Sequence, residues 1–164
     1  MKLRNFKDLY IQQLKDLYSA EKQIIRALPK MAKAAFNQEL AEAFNEHLRQ
    51  TKEQAERLEE LLASHDASTR GVTCRAMEAI IEEGAEIIEA DIDDTLRDAA
   101  LIAAAQRVEH YEISGYGTAR AFAELIGDTR GAKVLQTSLE EEVETDRRLT
   151  ELAEESINET ALSL

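Results

Sequence analysis

Apolar residues recur at spacings of three and four along nearly the whole chain, the period of a helix with one buried face. The pattern predicts four long helices, at about residues 3–36, 39–65, 96–126 and 129–158, and a shorter one at 72–90. Pro29 lies inside the first helix, where it deletes a backbone hydrogen bond and should kink or split the helix. Asn37 is suited to cap the start of the second helix, and Asp128 the start of the last one. Gly127 is suited to end the helix at 96–126.

The connections between these helices indicate the topology. The first two long helices are joined by very few residues, and so are the last two, so each pair forms an antiparallel hairpin. About thirty residues separate the two hairpins, and such a crossover is typical of ferritin-like folds. The sequence therefore predicts an all-α, ferritin-like four-helix bundle with a long crossover carrying an extra short helix. Residues 1–158 form the single domain, and residues 159–164 form a C-terminal tail that frays.

The buried face of each long helix is apolar at both ends and polar in the middle. The polar members include Glu21, His47, Glu109, Glu112 and Glu142. Each lies within about two turns of the midpoint of its helix, so antiparallel packing brings them to one level inside the bundle. No lysine or arginine occupies the same faces. Four ionised carboxylates in a low-dielectric interior are very unfavourable unless they are protonated or cations lie among them.

A metal site satisfies this charge requirement. Two divalent cations balance the charge of four glutamates, and His47 adds a neutral nitrogen ligand. Oxygen ligands with a minority of imidazole suit iron or manganese, so we predict two iron or manganese ions. The alternative is an empty polar layer. Nearby groups that could add ligands or hydrogen bonds are Gln54, Asp146, Glu141, Tyr116 and Tyr18. A modest helix rotation would exchange Glu141 with Glu142.

Composition and charge restrict the function further. Thirty-three acidic residues against twenty basic ones give a net charge of −13, which argues against a nucleic-acid partner and attracts divalent cations. The single cysteine, Cys74, excludes an internal disulfide, a Cys-x-x-Cys redox pair and a cysteine zinc site. No apolar run approaches the length of a membrane span, and the start of the chain does not have the pattern of a signal peptide. We therefore expect a cytoplasmic protein with no membrane partner.

Four segments of the chain resemble the YciE/YciF family, also called DUF892, and its YciF branch in particular. They are YSAEKQ at 18–23, HLRQT at 47–51, EHYEI at 109–113 and LEEE at 139–142. The similarity spans essentially the whole chain. It implies a bacterial, stress-associated ferritin-like bundle that forms homodimers. Apolar residues of the short helix could form the dimer interface or pack back on the bundle: Met77, Ile80, Ile81, Ile87 and Ile88.

Similarity to the wider rubrerythrin and ferritin-like group implies roles for individual residues. Glu21 matches the ligand of the first helix. Glu109 and Glu112 resemble the paired carboxylates of the third helix, and Glu142 matches the ligand of the fourth.

The chain departs from that pattern in two helices, where the group usually carries Glu-x-x-His. The second helix has His47-x-x-Gln50, and relatives commonly carry a glutamate at the latter position. In the fourth helix Glu142 is followed by Thr145 or Asp146. Because Gln50 offers only a neutral oxygen, one metal position would be weaker or absent.

These features predict a stress-response protein whose di-iron or di-manganese site oxidises Fe²⁺ or consumes oxygen or peroxide. Two metals about 3.5–4 Å apart can share the electrons that this chemistry needs. Glu112 and Glu142 are the expected bridging groups, with Glu21, Glu109 and His47 as terminal ligands. The chain contains no cysteine-rich segment, so the electrons come from Fe²⁺ or an external donor. The alternative is a non-catalytic dimeric helical stress protein that acts through protein partners, with a structural polar layer.

Overall fold

A computed structural model describes residues 3–164. Met1 and Lys2, which belong to the predicted domain, lie outside the described residues. The helices are α1 (Phe6–Ala34), α2 (Gln38–Ser64), α3 (Arg75–Glu89), α4 (Asp94–Leu125) and α5 (Thr129–Leu152). A π-helical segment at Ala153–Ile157 and helix α6 (Asn158–Leu162) continue α5. The four long helices and the short α3 between the hairpins confirm the predicted all-α bundle. None of the helices within residues 3–164 is long and apolar enough to cross a membrane.

Contacts between helices give the direction of each one. Phe6 at the start of α1 stacks edge-on against Phe122 near the end of α4, with 4.9 Å between the ring centroids. Arg57 in the second half of α2 donates to Ser138 in the first half of α5 at 3.2 Å. The pairs α1–α4 and α2–α5 are therefore antiparallel. Since α1 and α2 form an antiparallel hairpin, α2 and α4 run in the same direction, as the long crossover predicts.

Polar side chains define the two hairpin turns. Asn37 caps α2 by accepting from the Leu40 backbone N–H at 3.1 Å, as predicted. The buried Asp98 of α4 accepts from the backbone N–H of Phe36 at 2.8 Å and of Asn37 at 2.7 Å, which attaches the first hairpin to α4. In the second hairpin Gly127 has φ +78°, a conformation that only glycine adopts without strain.

Two local expectations differ from the structure. Of the two outcomes predicted at Pro29, a kink or a split, the split does not occur, because α1 continues from Phe6 to Ala34. Pro29 lies on the exposed side of the helix, where water can satisfy the freed carbonyl group. The helical chain also continues to Leu162, beyond the predicted end of the last helix at about residue 158. Ile157 and Ala161, one turn apart, are 3% and 8% exposed, so burial of this apolar face stabilises the extra turn.

The apolar core consists of two clusters, one on each side of a polar level. Helix α3 packs against α1 and α4 and adds to the first of these clusters. Met77 of α3 is fully buried, and the four isoleucines of α3 are half-buried against the same cluster. The apolar residues of α3 therefore pack back on the bundle.

Asp128 holds three elements together, and its removal is expected to destabilise the fold. Its carboxylate accepts from Gly131 N–H at 2.8 Å, from Tyr10 O–H at 3.1 Å and from His65 Nε2 at 2.9 Å. Burial raises the pKa of Asp128, but these hydrogen bonds outweigh burial and hold the pKa below its usual value. Asp128→Ala should lower the free energy of unfolding by about 2–4 kcal/mol, from one helix cap and two side-chain hydrogen bonds. Urea denaturation measures this change.

The matched control is Asp128→Asn, because asparagine caps a helix nearly as well as aspartate. It should lose clearly less stability than Asp128→Ala. A loss below about 0.5 kcal/mol for the alanine variant, the range of an ordinary surface substitution, would contradict the role of this carboxylate.

Candidate metal centre

Five ionisable side chains meet at the polar level between the two apolar clusters. Glu21 belongs to α1, His47 to α2, Glu109 and Glu112 to α4 and Glu142 to α5, and each side chain is at most 3% exposed. One ligand atom from each of His47, Glu109, Glu112 and Glu142 lies within 4.8 Å of the other three. Glu21 lies beside this group, close enough for its charge to raise the pKa of Glu112 beyond the effect of burial. The predicted set is therefore brought together in the interior, and it could hold a metal ion.

A glycine allows α1 and α4 to approach closely beside the cluster. Gly115 follows Glu112 by three residues, and a Cβ atom at this position would lie 2.7 Å from Cδ2 of Leu17. No larger residue fits there unless Leu17 moves. The close approach places Tyr116 of α4 against Glu21 of α1, where the tyrosine hydroxyl donates to Oε1 of the glutamate.

In two of the carboxyl groups, one oxygen accepts a hydrogen bond from a neutral donor. The Tyr116 hydroxyl donates to Glu21, and the Gln54 amide donates to Oε1 of Glu142. Gln54 also donates to Oε2 of Glu141 at 3.0 Å. These contacts orient the carboxyl groups without neutralising them. The second oxygen of Glu21 and of Glu142 stays without a hydrogen-bond partner.

Within residues 3–164, nine buried side-chain nitrogen and oxygen atoms have no hydrogen-bond partner. Three of them are Gln54 Oε1 and two arginine Nε atoms elsewhere, and the other six belong to potential metal ligands of the cluster. They are Glu21 Oε2, His47 Nε2, Glu109 Oε2, both oxygens of Glu112 and Glu142 Oε2. Asp98 is equally buried, but both of its oxygens accept backbone N–H groups. An unpaired buried polar atom destabilises a fold by about 1–3 kcal/mol. Such a concentration fits a donor set for divalent cations better than a satisfied polar layer.

The protonation of the cluster agrees with this interpretation. Burial raises the pKa values of Glu21, Glu109 and Glu112 well above their usual range, and repulsion from neighbouring carboxylates raises them further. Burial lowers the pKa of His47, which keeps its imidazole neutral and able to bind a metal. In the absence of cations these three carboxyl groups therefore retain protons to higher pH, and metal binding would displace the protons.

Arg57 determines which of two adjacent glutamates faces the cluster. It binds Glu141 through two hydrogen bonds, of 2.6 Å and 2.9 Å, at the edge of the α2–α5 interface. Glu142 is consequently the residue that points inward. The periodic pattern did not identify Arg57 as part of the site. The available signal was its position three residues after Gln54, on nearly the same side of α2.

The other candidate residues lie outside the cluster. Asp146 accepts from Gln106 at 3.1 Å and lies 3.3 Å from Nε2 of His110, and it is not one of the four residues whose ligand atoms lie within 4.8 Å of one another. Tyr18 is half-buried and packs against the second apolar cluster.

Gln50 lies next to the cluster but does not join it. Its Oε1 atom accepts from the Thr145 hydroxyl at 3.4 Å, and the same hydroxyl lies 3.4 Å from Nδ1 of His47. Gln50 is therefore connected to the imidazole through Thr145. This contact fixes the ring orientation of a candidate ligand, a common arrangement around metal-bound histidines.

Two cavities reach the cluster from the surface. One of about 410 Å³ lies between α1, α3 and α4, and Glu109 is among its lining residues. The other, of about 300 Å³, lies between α2 and α5, and His47 is among its lining residues. The first is mostly apolar, and the second is lined by several glutamates.

Comparisons with known proteins give the same fold. The E. coli protein YciF is 47% identical over 116 residues, which are 70% of each chain. The crystal structure of the E. coli stress protein YciF matches with a TM-score of 0.91 at 46% identity, covering 95% of this chain and 99% of the other. The solved structure of YcfI from Rhodopseudomonas palustris matches with a TM-score of 0.86 at 39% identity, covering 91% and 95%.

A crystal structure from Xanthomonas campestris pv. campestris, only 20% identical, shares the fold with a TM-score of 0.78 over 97% of each chain. The model of the family described as domain of unknown function DUF892 matches residues 5–162. The chain therefore belongs to the DUF892 family.

Proposed function

We propose that the buried cluster binds two iron or manganese ions, and that the protein oxidises Fe²⁺ or consumes oxygen or peroxide. The observation that carries this proposal is the convergence of carboxyl groups of α4 and α5, each with an unpaired oxygen, on the buried imidazole of His47. Two divalent cations would balance the charge of the four buried glutamates. The E. coli relative is described as a stress protein, and we propose a role in stress for this chain as well.

The positions of the side chains support a division of ligand roles. Glu112 is close enough to Glu21 for their charges to interact, and it also lies within the group that contains His47, Glu109 and Glu142. Glu112 therefore lies between two sets of donors, as a bridging ligand would. We assign Glu21 to one metal position and His47 with Glu109 to the other. Glu142, which retains one unpaired oxygen, is the second candidate bridge.

When bound, a pair of such ions supplies the electrons for reducing oxygen or peroxide. The protein orients the ligands and excludes bulk water. Burial raises the pKa of Tyr116, so its hydroxyl stays protonated and continues to donate to Glu21. Burial also raises the pKa of Cys74, the single cysteine, which keeps its thiol protonated. We therefore propose that Fe²⁺ or an external donor supplies the electrons.

The acidic cleft between α2 and α5 supports the delivery of cations. Glu39, Glu42, Glu46 and Glu144 line this cleft together with His47 of the cluster. Arg148 also lines the cleft and lies 3.6 Å from Glu39, so the four glutamates leave an excess of negative charge. Such an excess raises the local concentration of cations. The net charge of −13 acts in the same direction.

Metal analysis tests the proposal directly. Protein reconstituted with Fe²⁺ without oxygen and then desalted should retain about two irons per chain, the number that balances four carboxylates. Glu21→Ala and His47→Ala should lose metal, because each removes a proposed ligand. His110→Ala is the matched histidine control, since His110 is 69% exposed and outside the cluster. Oxygen uptake and peroxide consumption by the loaded protein then distinguish the proposed reactions.

The result that contradicts the proposal is equally clear. Near-zero metal in the reconstituted wild-type protein, in iron and in manganese, would favour the alternative of a non-catalytic helical protein that acts through partners. In that case the polar level would specify only helix register.

A further inference from the structure

The apolar cavity between α1, α3 and α4 is a second feature that requires an explanation. Its volume of about 410 Å³ lies within the range of about 300–1,000 Å³ that is typical of small-molecule sites. Small residues face each other across the α3–α4 interface at the side of this cavity, where a Cβ atom at Gly84 would lie 3.8 Å from that of Ala104. Gly84, Ala104 and Ala105 are all buried there.

The walls and the inner end of this cavity differ in chemistry. Aliphatic side chains of three helices form the walls, among them Ile24, Leu28, Ile81 and Val108. Glu109 lies at the buried inner end, 2% exposed, with Oε2 unpaired. An elongated aliphatic molecule fits such walls, because apolar contact is the interaction they offer along most of their length.

The mouth carries charges of both signs. Arg26 and Lys30, one turn apart on α1, are exposed at the cavity and form no ion pair within residues 3–164. Glu78 and Glu82, one turn apart on α3, are exposed at the same cavity. The two cations can accept one carboxylate, whereas the two glutamates disfavour a head group with a second negative charge.

We propose that this cavity binds one straight-chain fatty acid, with its carboxylate between Arg26 and Lys30 and its hydrocarbon tail directed towards Glu109. Binding itself does not require a metal and is independent of the function proposed above. In this orientation the end of the tail lies beside the metal centre, which makes an aliphatic chain a candidate substrate. This consequence does rest on the function proposed above.

The test uses the full-length, metal-free protein and titrates it with dodecanoate and decanoate in a calorimeter. Dodecanoate should bind saturably, with one molecule per chain. Each additional buried methylene should tighten binding about fourfold, so dodecanoate should bind about fifteenfold more tightly than decanoate. Dodecyl phosphate, whose head carries close to two charges, should bind more weakly than dodecanoate.

One pair of variants and one double variant locate the site. Ala27→Phe, at a half-buried position in the cavity wall, should abolish binding, whereas Ala79→Phe on the exposed side of α3 should not. The double variant Arg26→Ala/Lys30→Ala should weaken dodecanoate about three- to tenfold and leave dodecanol unchanged. Circular dichroism and thermal unfolding should show that every variant is folded.

Absence of saturable dodecanoate binding would overturn the proposal. Such an absence is the result expected if a second copy of the chain covers the cavity. Equal binding by folded Ala27→Phe and Ala79→Phe would also overturn it. Because the titration uses metal-free protein, its failure is separate from a failure to bind iron or manganese.

Discussion

Glu112→Met is expected to make the metal-free protein more stable and, at the same time, to abolish tight metal binding. Glu112 is fully buried, and neither of its oxygens has a hydrogen-bond partner within residues 3–164. Methionine is apolar, of similar length and flexible enough to fill the same space. An unpaired buried polar group destabilises a fold by about 1–3 kcal/mol, so its replacement by an apolar side chain is expected to recover an amount in the lower half of this range.

The same substitution removes the proposed bridging ligand. Loss of a group that hydrogen-bonds to a metal ligand weakens metal affinity about 10–100-fold. Loss of a ligand itself should therefore weaken the affinity by at least about a hundredfold. Urea denaturation in the presence of a chelator measures the stability, and titration with Mn²⁺ or Fe²⁺ measures the affinity. Opposite signs of the two effects are expected at a site where function is maintained at the expense of stability.

Glu141→Met is the matched control, one residue away from the inward-facing Glu142. It removes the partner of Arg57 and should lower stability modestly, by about 1 kcal/mol or less, because the pair is partly exposed. Metal affinity should stay within a few-fold of that of the wild-type protein. If Glu112→Met destabilised the metal-free protein by more than about 1 kcal/mol, the carboxyl groups would be a stabilising polar layer and the proposed metal site would be contradicted.

The second large effect is a reversal of the pH dependence of stability when metal is added. The pKa values of Glu21, Glu109 and Glu112 are raised in the folded state, so the folded protein binds more protons than the unfolded chain above about pH 4.3. The contribution to stability is therefore fully present below the unfolded pKa. It is lost as the pH rises through the folded pKa, at up to about 1.4 kcal/mol per pH unit for each group.

Metal reverses the sign of the pH dependence of stability, because cations replace the protons on the carboxyl groups. Metal affinity rises with pH when the ligands must be deprotonated, so the loaded protein should become more stable over the range in which the metal-free protein becomes less stable. At a free metal concentration a hundredfold above its dissociation constant, the added stability is about 2.7 kcal/mol. Urea denaturation from about pH 5 to about pH 8, with chelator or with Mn²⁺, measures both curves.

A single variant checks the assignment of this effect. Above about pH 6.5 His47 is neutral in both the folded and the unfolded chain and no longer adds a slope of opposite sign. In that range Glu21→Gln removes one of the three titrating carboxyl groups and should reduce the slope of the metal-free curve by about one third. A metal-free stability that stays constant or rises over this pH range would show that the carboxyl groups are not held protonated in the interior.

Much of the fold was predictable because helices and their pairing are local. The period of the apolar residues depends only on helix geometry, and the caps at Asn37 and Asp128 depend on residues within one turn. The length of the crossover determined the direction of α4 relative to α2. The polar centre of each buried face also predicted that Glu21, His47 and the inward glutamates of α4 and α5 meet at one level.

Other features depend on contacts between residues distant in the sequence. Glu142 rather than Glu141 faces inward because Arg57 of α2 binds Glu141, and no period could distinguish these neighbours. Asp146 turns towards Gln106 and His110, and Gln50 reaches the cluster only through Thr145.

The sequence by itself therefore determined the helices, their topology and the depth of the acidic residues, because helix period and loop length are encoded by near neighbours. Only the tertiary structure decided which oxygens are unpaired, where the chain ends its helix and that a cavity extends to Glu109. These properties arise where side chains of separate helices compete for the same space and the same hydrogen bonds, and that competition is absent from any single segment.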